Sequence, residues 1–229
     1  MAEQTPPGMC TLYTFFRATP AWLLLRKADR SRAIAEYLAA VDDFQRRLTI
    51  RTYSTLGLRR DTDFLLWVSS REMEPIQQLM EALRRTALAP YLDNTYSYLA
   101  VTRESQYVKA HTEDEVEVTM QPGQSRYLFV YPFVKTREWY LLPMEERRRL
   151  MAEHIRAGHK FPAIRINTAY SFGLDDQDFV VAFEGDDPKE FVTLLMRLRE
   201  TEASRYTVRD TPQHTCARKP LEEILAALG

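Results

Sequence analysis

A strand over Arg126 to Lys135 would set Tyr127, Phe129, Tyr131, Phe133 and Lys135 on one face, because strand side chains alternate. A phenol and an ammonium then project the same way among aromatic rings. Lys135 could hold an anionic group while Tyr131 does acid–base or radical chemistry. The plainer reading is an edge-strand tyrosine beside a solvated lysine, and Pro132, which has no N–H, suits an edge or a strand end. His154 is the second candidate. Helical spacing puts Leu150, Met151, His154, Ile155 and Gly158 on one face, with arginines and glutamates opposite. An imidazole on that apolar face is either a core histidine with one satisfied hydrogen bond or an axial ligand to a metal cofactor in a cavity. The pattern alone leaves both pairs of readings open.

Composition narrows the chemistry around them. With 31 basic and 32 acidic residues in 229, the net charge is −1, which argues against a protein built to bind nucleic acid or an anionic membrane. Only seven glycines occur, and neither G-x-G-x-x-G nor a P-loop is present. The four histidines, His111, His154, His159 and His214, show no zinc-site spacing, so a metal site made only of protein ligands is not expected. No nucleophile elbow is found. Cys10 and Cys216 lie far apart and read as reduced thiols. Without a signal-like start or a long apolar run, the expected address is the cytoplasm.

The elements that must position the candidates come from a repeat. Phe64 aligns with Phe179, Asp63 with Asp178, Leu79 with Leu194, Leu83-Arg84 with Leu198-Arg199 and Thr86 with Thr201. Upstream, Ala21-Trp22-Leu23-Leu24-Leu25 resembles Glu138-Trp139-Tyr140-Leu141-Leu142, Arg30 falls on Arg147, and Tyr37 falls where the second copy has His154. Each copy reads as strand, helix, two strands, helix, strand. In the second copy Pro143 and Pro188 open helices, Gly173 to Asp176 turns a hairpin, and Tyr206 to Cys216 closes the sheet. The expected class is α+β: two ferredoxin-like βαββαβ repeats forming a dimeric-type α+β barrel. The halves are expected at 9–112 and 126–229, joined by a loop over 113–125. A duplicated fold needs its core twice but its active site once, so His154 opposite Tyr37 marks the C-terminal half.

At these residues the sequence resembles the chlorite dismutase and coproheme decarboxylase family. The segments that carry the resemblance are YPFVKTREWYLLPMEERRRLMAEH, GLDDQDFVVAFEGDD and LRETEASRY. The resemblance implies a haem-binding C-terminal half and a homopentamer. It implies His154 as the proximal iron ligand, Tyr131 as the tyrosine that becomes a radical, and Lys135 as the grip on a propionate. Ser204 then matches a serine near another propionate, and Trp139 a pocket-side aromatic. The distal position falls on Ile166, which has no hydrogen to donate to a chlorine oxyanion, so chlorite chemistry is disfavoured. The run Arg165-Ile166-Asn167-Thr168 is similar to the actinobacterial-type decarboxylases, in which a distal histidine acts as base, here matched by His111. The implied activity is peroxide-dependent decarboxylation of iron coproporphyrin III (coproheme) to haem b, the porphyrin being substrate and cofactor together. Coproheme and hydrogen peroxide are the expected partners, with no nucleic acid and no membrane. Two other readings stand beside it: a non-catalytic haem carrier or weak haem peroxidase, and a cofactor-free barrel that takes an organic substrate.

Overall fold

The computed structural model describes residues 8–105, 107 and 125–229. They form two compact units, Gly8–Val101 with His214–Gly229, and Thr102–Gln213. The order in the first unit is β1 (Cys10–Ala18), α1 (Lys27–Asp42), β2 (Thr49–Ser54), β3 (Phe64–Ser70), α2 (Glu74–Arg84) and β4 (Leu92–Thr102). Its strands pair antiparallel in the spatial order β4-β1-β3-β2, the ferredoxin-like arrangement. Ile76, Leu79 and Leu83 of α2 and Ala33, Tyr37 and Val41 of α1 bury against Phe16, Phe64, Leu66 and Val68 of the sheet.

The second unit repeats the plan. It runs β5 (Tyr127–Lys135), α3 (Arg137–Leu141), α4 (Met144–Gly158), β6 (Arg165–Tyr170), β7 (Phe179–Gly185), α5 (Pro188–Arg199) and β8 (Thr207–Arg209). The spatial order β8-β5-β7-β6 matches that of the first unit. Pro143 precedes α4, Glu145 and Glu146 occupy its first turn and Arg156 its last, as the helix dipole favours. Pro188 opens α5, where the Asp187 carboxylate accepts from the Lys189 N–H at 2.9 Å. Gly57 and Gly173, at matching places in the two hairpin loops, both take positive φ (76° and 71°), a conformation that explains the residue type.

The boundaries differ from the expected 9–112 and 126–229 at the C-terminus. The stretch expected to close the second sheet, Tyr206 to Cys216, is interrupted around Pro212, which has no N–H for a ladder. Its first part is β8, paired with β5. Its second part is β9 (His214–Arg218), which pairs with β2 of the first unit. The helix that follows, α6 (Leu221–Ala226), buries Leu221, Ile224 and Leu225 in the first unit's core. Burial of such side chains is worth about 1.5–3 kcal/mol each, which fixes the tail there.

Candidate functional site

The sheet face of the second unit that meets α5 carries the tyrosine. Across β5, β7 and β6 its residues stand in rows: Phe129, Phe183, Ile166, then Tyr131, Val181, Thr168, then Phe133, Phe179, Tyr170. Strand alternation sends Leu128 and Val130 to the opposite face, where both are fully buried. Tyr131 is 5% exposed, packed with Phe129, Phe183, Ile164 and with Leu194 and Leu198 of α5. Burial pushes its phenol well above the ordinary tyrosine range, with Asp210 adding to the rise and Arg199 opposing it. Those two residues are themselves paired at 2.9 Å. Tyr131 is therefore a protonated phenol at neutral pH, with a carboxylate close enough to influence it.

Lys135 ends the same strand, and it is not the solvated lysine of the plainer reading. Its backbone N–H donates to Asp178 Oδ2 at 2.8 Å, and its Nζ donates to the Ala203 carbonyl at 2.8 Å. Nζ also stands 4.5 Å from the Trp139 ring centroid and 5.4 Å from that of Phe133. Burial lowers its pKa to about 8. Among the described residues it has no carboxylate partner, so the site holds a desolvated cation that an incoming carboxylate would satisfy.

Trp139, 2% exposed, sits in α3, whose first turn is capped by the Thr136 hydroxyl accepting from the Trp139 N–H at 3.3 Å. The indole packs with Leu150 of α4, Ala203 and Tyr206. Trp139 thus joins the end of β5 to the helix that bears the histidine. His154 lies on α4 with Nδ1 3.2 Å from the Thr201 hydroxyl, and that hydroxyl donates to the Leu198 carbonyl at 2.7 Å. Nε2 has no partner among the described residues. Burial lowers the imidazole pKa to about 4, helped by the charge of Lys135, so the ring is neutral at pH 7. A neutral imidazole with one nitrogen free is what a metal ligand requires.

Ile166 is 37% exposed, and its Cδ1 lies 3.8 Å from where a Cβ on Gly158 would stand. The sheet face and the end of α4 therefore meet at Ile166, which brings no hydrogen-bond donor there. Ser204 follows Thr201 closely, but its hydroxyl donates to the Arg199 carbonyl at 2.8 Å. It must rotate before it can donate to a carboxylate. His111 lies outside the described residues. Sequence reasoning missed Thr201, Asp178 and the Arg199–Asp210 pair as contributors, although the repeat had already aligned Thr201 with Thr86 and Asp178 with Asp63. Taken together, an imidazole nitrogen without a partner among the described residues, a desolvated ammonium and a buried phenol fit a metal-bearing ligand that also carries a carboxylate.

Comparison with known proteins points the same way. The family model described as chlorite dismutase matches residues 10–219. The chain is 35% identical over 219 residues to a coproheme decarboxylase of Mycolicibacterium smegmatis, covering 95% of this chain and 93% of that protein. Its fold is similar to that of a mutant chlorite dismutase from Candidatus Nitrospira defluvii, with a TM-score of 0.93 at 27% identity over 98% of this chain and 97% of that one. A chlorite dismutase from the same organism, in complex with imidazole, gives a TM-score of 0.92 at 27% identity over 98% and 96% of the two chains.

Proposed function

Because this chain belongs to the chlorite dismutase family, we propose that it is a coproheme decarboxylase, converting iron coproporphyrin III to haem b with hydrogen peroxide. The observation that carries the reading is the neutral His154 imidazole, tied at Nδ1 and without a partner at Nε2 among the described residues, near a Lys135 ammonium that has no carboxylate among them. Ile166, which the resemblance matches to the distal position, supports the choice within the family, since an apolar side chain there would give a chlorine oxyanion no hydrogen bond.

The substrate iron supplies the reaction with peroxide when coproheme is bound. His154 Nε2 ligates that iron, and Thr201 keeps the ring from turning. Lys135 holds a propionate by a charge-assisted bond that replaces its bond to Ala203 or shares it. Tyr131, oxidised to the phenoxyl radical by loss of an electron and its proton, takes a hydrogen atom from the held propionate. Loss of CO₂ and one further electron then leaves a vinyl group. Per propionate, two electrons pass to one peroxide, which becomes two waters; one proton is consumed as the carboxylate departs as CO₂. The cycle repeats at a second propionate. His111 is assigned to deprotonate peroxide, Trp139 to wall the pocket, and Ser204 to meet another propionate after rotation.

The active form is assigned as a homopentamer, as the family resemblance implies, with exposed Leu24 (86%) and Leu141 (82%) available to subunit contacts. No helix among the described residues is long and apolar enough to cross a membrane, and a cytoplasmic address is assigned on the sequence. The test is to add coproheme to the purified protein, titrate with peroxide and follow the porphyrin by mass spectrometry. Stepwise loss of two CO₂ through a mono-decarboxylated species is expected. Porphyrin bleaching without CO₂ loss would leave a haem carrier or weak peroxidase, and failure to bind coproheme would return His154 to the core.

A further inference from the structure

The two units share one small device, and only one of them uses it. Thr86 Oγ1 donates to the Leu83 carbonyl at 2.7 Å, and Thr201 Oγ1 donates to the Leu198 carbonyl at 2.7 Å. These are equivalent positions in the repeat, Thr86 just after α2 and Thr201 just after α5. In the first unit the residue that aligns with His154 is Tyr37, whose buried hydroxyl has no partner among the described residues. The threonine–carbonyl bond is therefore a fold element that forms with or without a histidine beside it. In the second unit the same threonine also faces His154 Nδ1.

A threonine hydroxyl has one hydrogen and two lone pairs. The short bond to Leu198 takes the hydrogen, so toward His154 the oxygen can only accept. Nδ1 must then carry the ring proton, and Nε2 must be the bare nitrogen. We propose that Thr201 is a positioning residue for the axial ligand: by accepting from Nδ1–H it fixes the tautomer and the ring plane that present Nε2 to the iron. The acceptor is a neutral hydroxyl, already used once as a donor, and not a carboxylate. It orients the imidazole without drawing its Nδ1 proton toward an anion, so the ligand stays a neutral imidazole. Thr201 is itself 5% exposed, so water does not compete for the bond. The inference rests on the haem reading for its purpose, but the tautomer can be measured without haem.

The experiment uses the full-length chain labelled with ¹⁵N-histidine, first without and then with coproheme. Without coproheme, His154 is expected to show a protonated Nδ1 and an unprotonated Nε2. Thr201→Val, which keeps the shape and removes the oxygen, should shift the signals toward the other tautomer or to an average, and Thr201→Ser should restore them. Thr86→Val is the matched control: it deletes the equivalent bond in the other unit and should leave the His154 signals where they were. With coproheme, Thr201→Val should weaken binding about 10- to 100-fold, as loss of an outer partner of a metal ligand does, and move the iron–histidine stretching frequency of the ferrous complex. A protonated Nε2 in the unsubstituted protein, or signals unmoved by Thr201→Val, would overturn the assignment whatever coproheme does. If the tautomer is as expected and coproheme does not bind, the haem reading falls and the tautomer lock stands.

Discussion

Asp178 ties Lys135 to its strand end. The carboxylate Oδ2 accepts from the Lys135 backbone N–H at 2.8 Å and from the Tyr140 hydroxyl at 2.7 Å. The aligned Asp63 accepts from the Ala18 N–H at 2.8 Å in the other unit. The bond thus belongs to the fold twice and to the site once. Asp178→Ala should lower stability by about 2 kcal/mol, for bonds to a charged acceptor, and also weaken coproheme binding because Lys135 loses its anchor. Asp63→Ala should cost comparable stability and leave coproheme affinity unchanged. Denaturant melts and coproheme titrations of both variants check this, and equal affinity in the two would detach Asp178 from the site.

Tyr131 is the next residue to test. Its ring packs among Phe129, Phe183 and Leu198, so Tyr131→Phe keeps the packing and removes only the hydroxyl. Coproheme should bind within about 3-fold of the unsubstituted protein, since no ring contact is lost. Decarboxylation should fall by at least about 100-fold if the phenol carries the oxidising step. Mass spectrometry of the porphyrin after peroxide decides it, and normal haem b formation would remove Tyr131 from its role.

The sequence showed the face Tyr131 shares with Lys135 because strand alternation is strict, and it showed the ferredoxin-like order because the same turns and helix starts occur twice. It also singled out His154, where a repeated core position changes from a phenol to an imidazole. Periodicity states that a strand exists but not which strand it pairs with. That is why the sequence pattern assigns His214–Gly229 to the second half, although β9 pairs with β2 across more than 150 residues of chain. The repeat aligns Thr201 with Thr86 without marking it as part of the site, for a similar reason. Its part depends on where a single hydroxyl hydrogen goes, and that is set by the Leu198 carbonyl in three dimensions.

Lys135 makes coproheme affinity depend on pH. Burial holds its pKa near 8 in the free protein, and a bound carboxylate raises it. Below pH 8 the ammonium is already present and affinity should be flat. Above pH 8 binding must take up a proton, so affinity should fall, approaching about 10-fold per pH unit. Lys135→Met should bind more weakly and lose this dependence. The same substitution should stabilise the coproheme-free protein at pH 7, because it removes a desolvated charge with no anionic partner among the described residues. Titrations from pH 6 to 10 measure the first effect and thermal melts the second.

Acid should destabilise the coproheme-free protein through two histidines, one in each unit. His154 is lowered to about 4 by burial and then by Lys135. His214 is lowered to about 4 by burial and then by Arg59, against Asp61; its ring centroid lies 4.1 Å from that of Phe15, tilted by 31°, and it meets the Tyr98 hydroxyl at 3.3 Å. Both folded values lie below the unfolded value of about 6.5, so the unfolded chain binds protons that the fold refuses. The stability they contribute is complete above about pH 6.5 and is lost as pH falls toward 4, at up to about 1.4 kcal/mol per pH unit for each histidine. Carboxylates held low by arginine partners, such as Asp61, join only at lower pH. Urea unfolding between pH 6.5 and 5 should therefore show an uptake approaching two protons, and His214→Phe should reduce it to about one. An uptake unchanged by that substitution would mean that His214 is not held neutral by the fold.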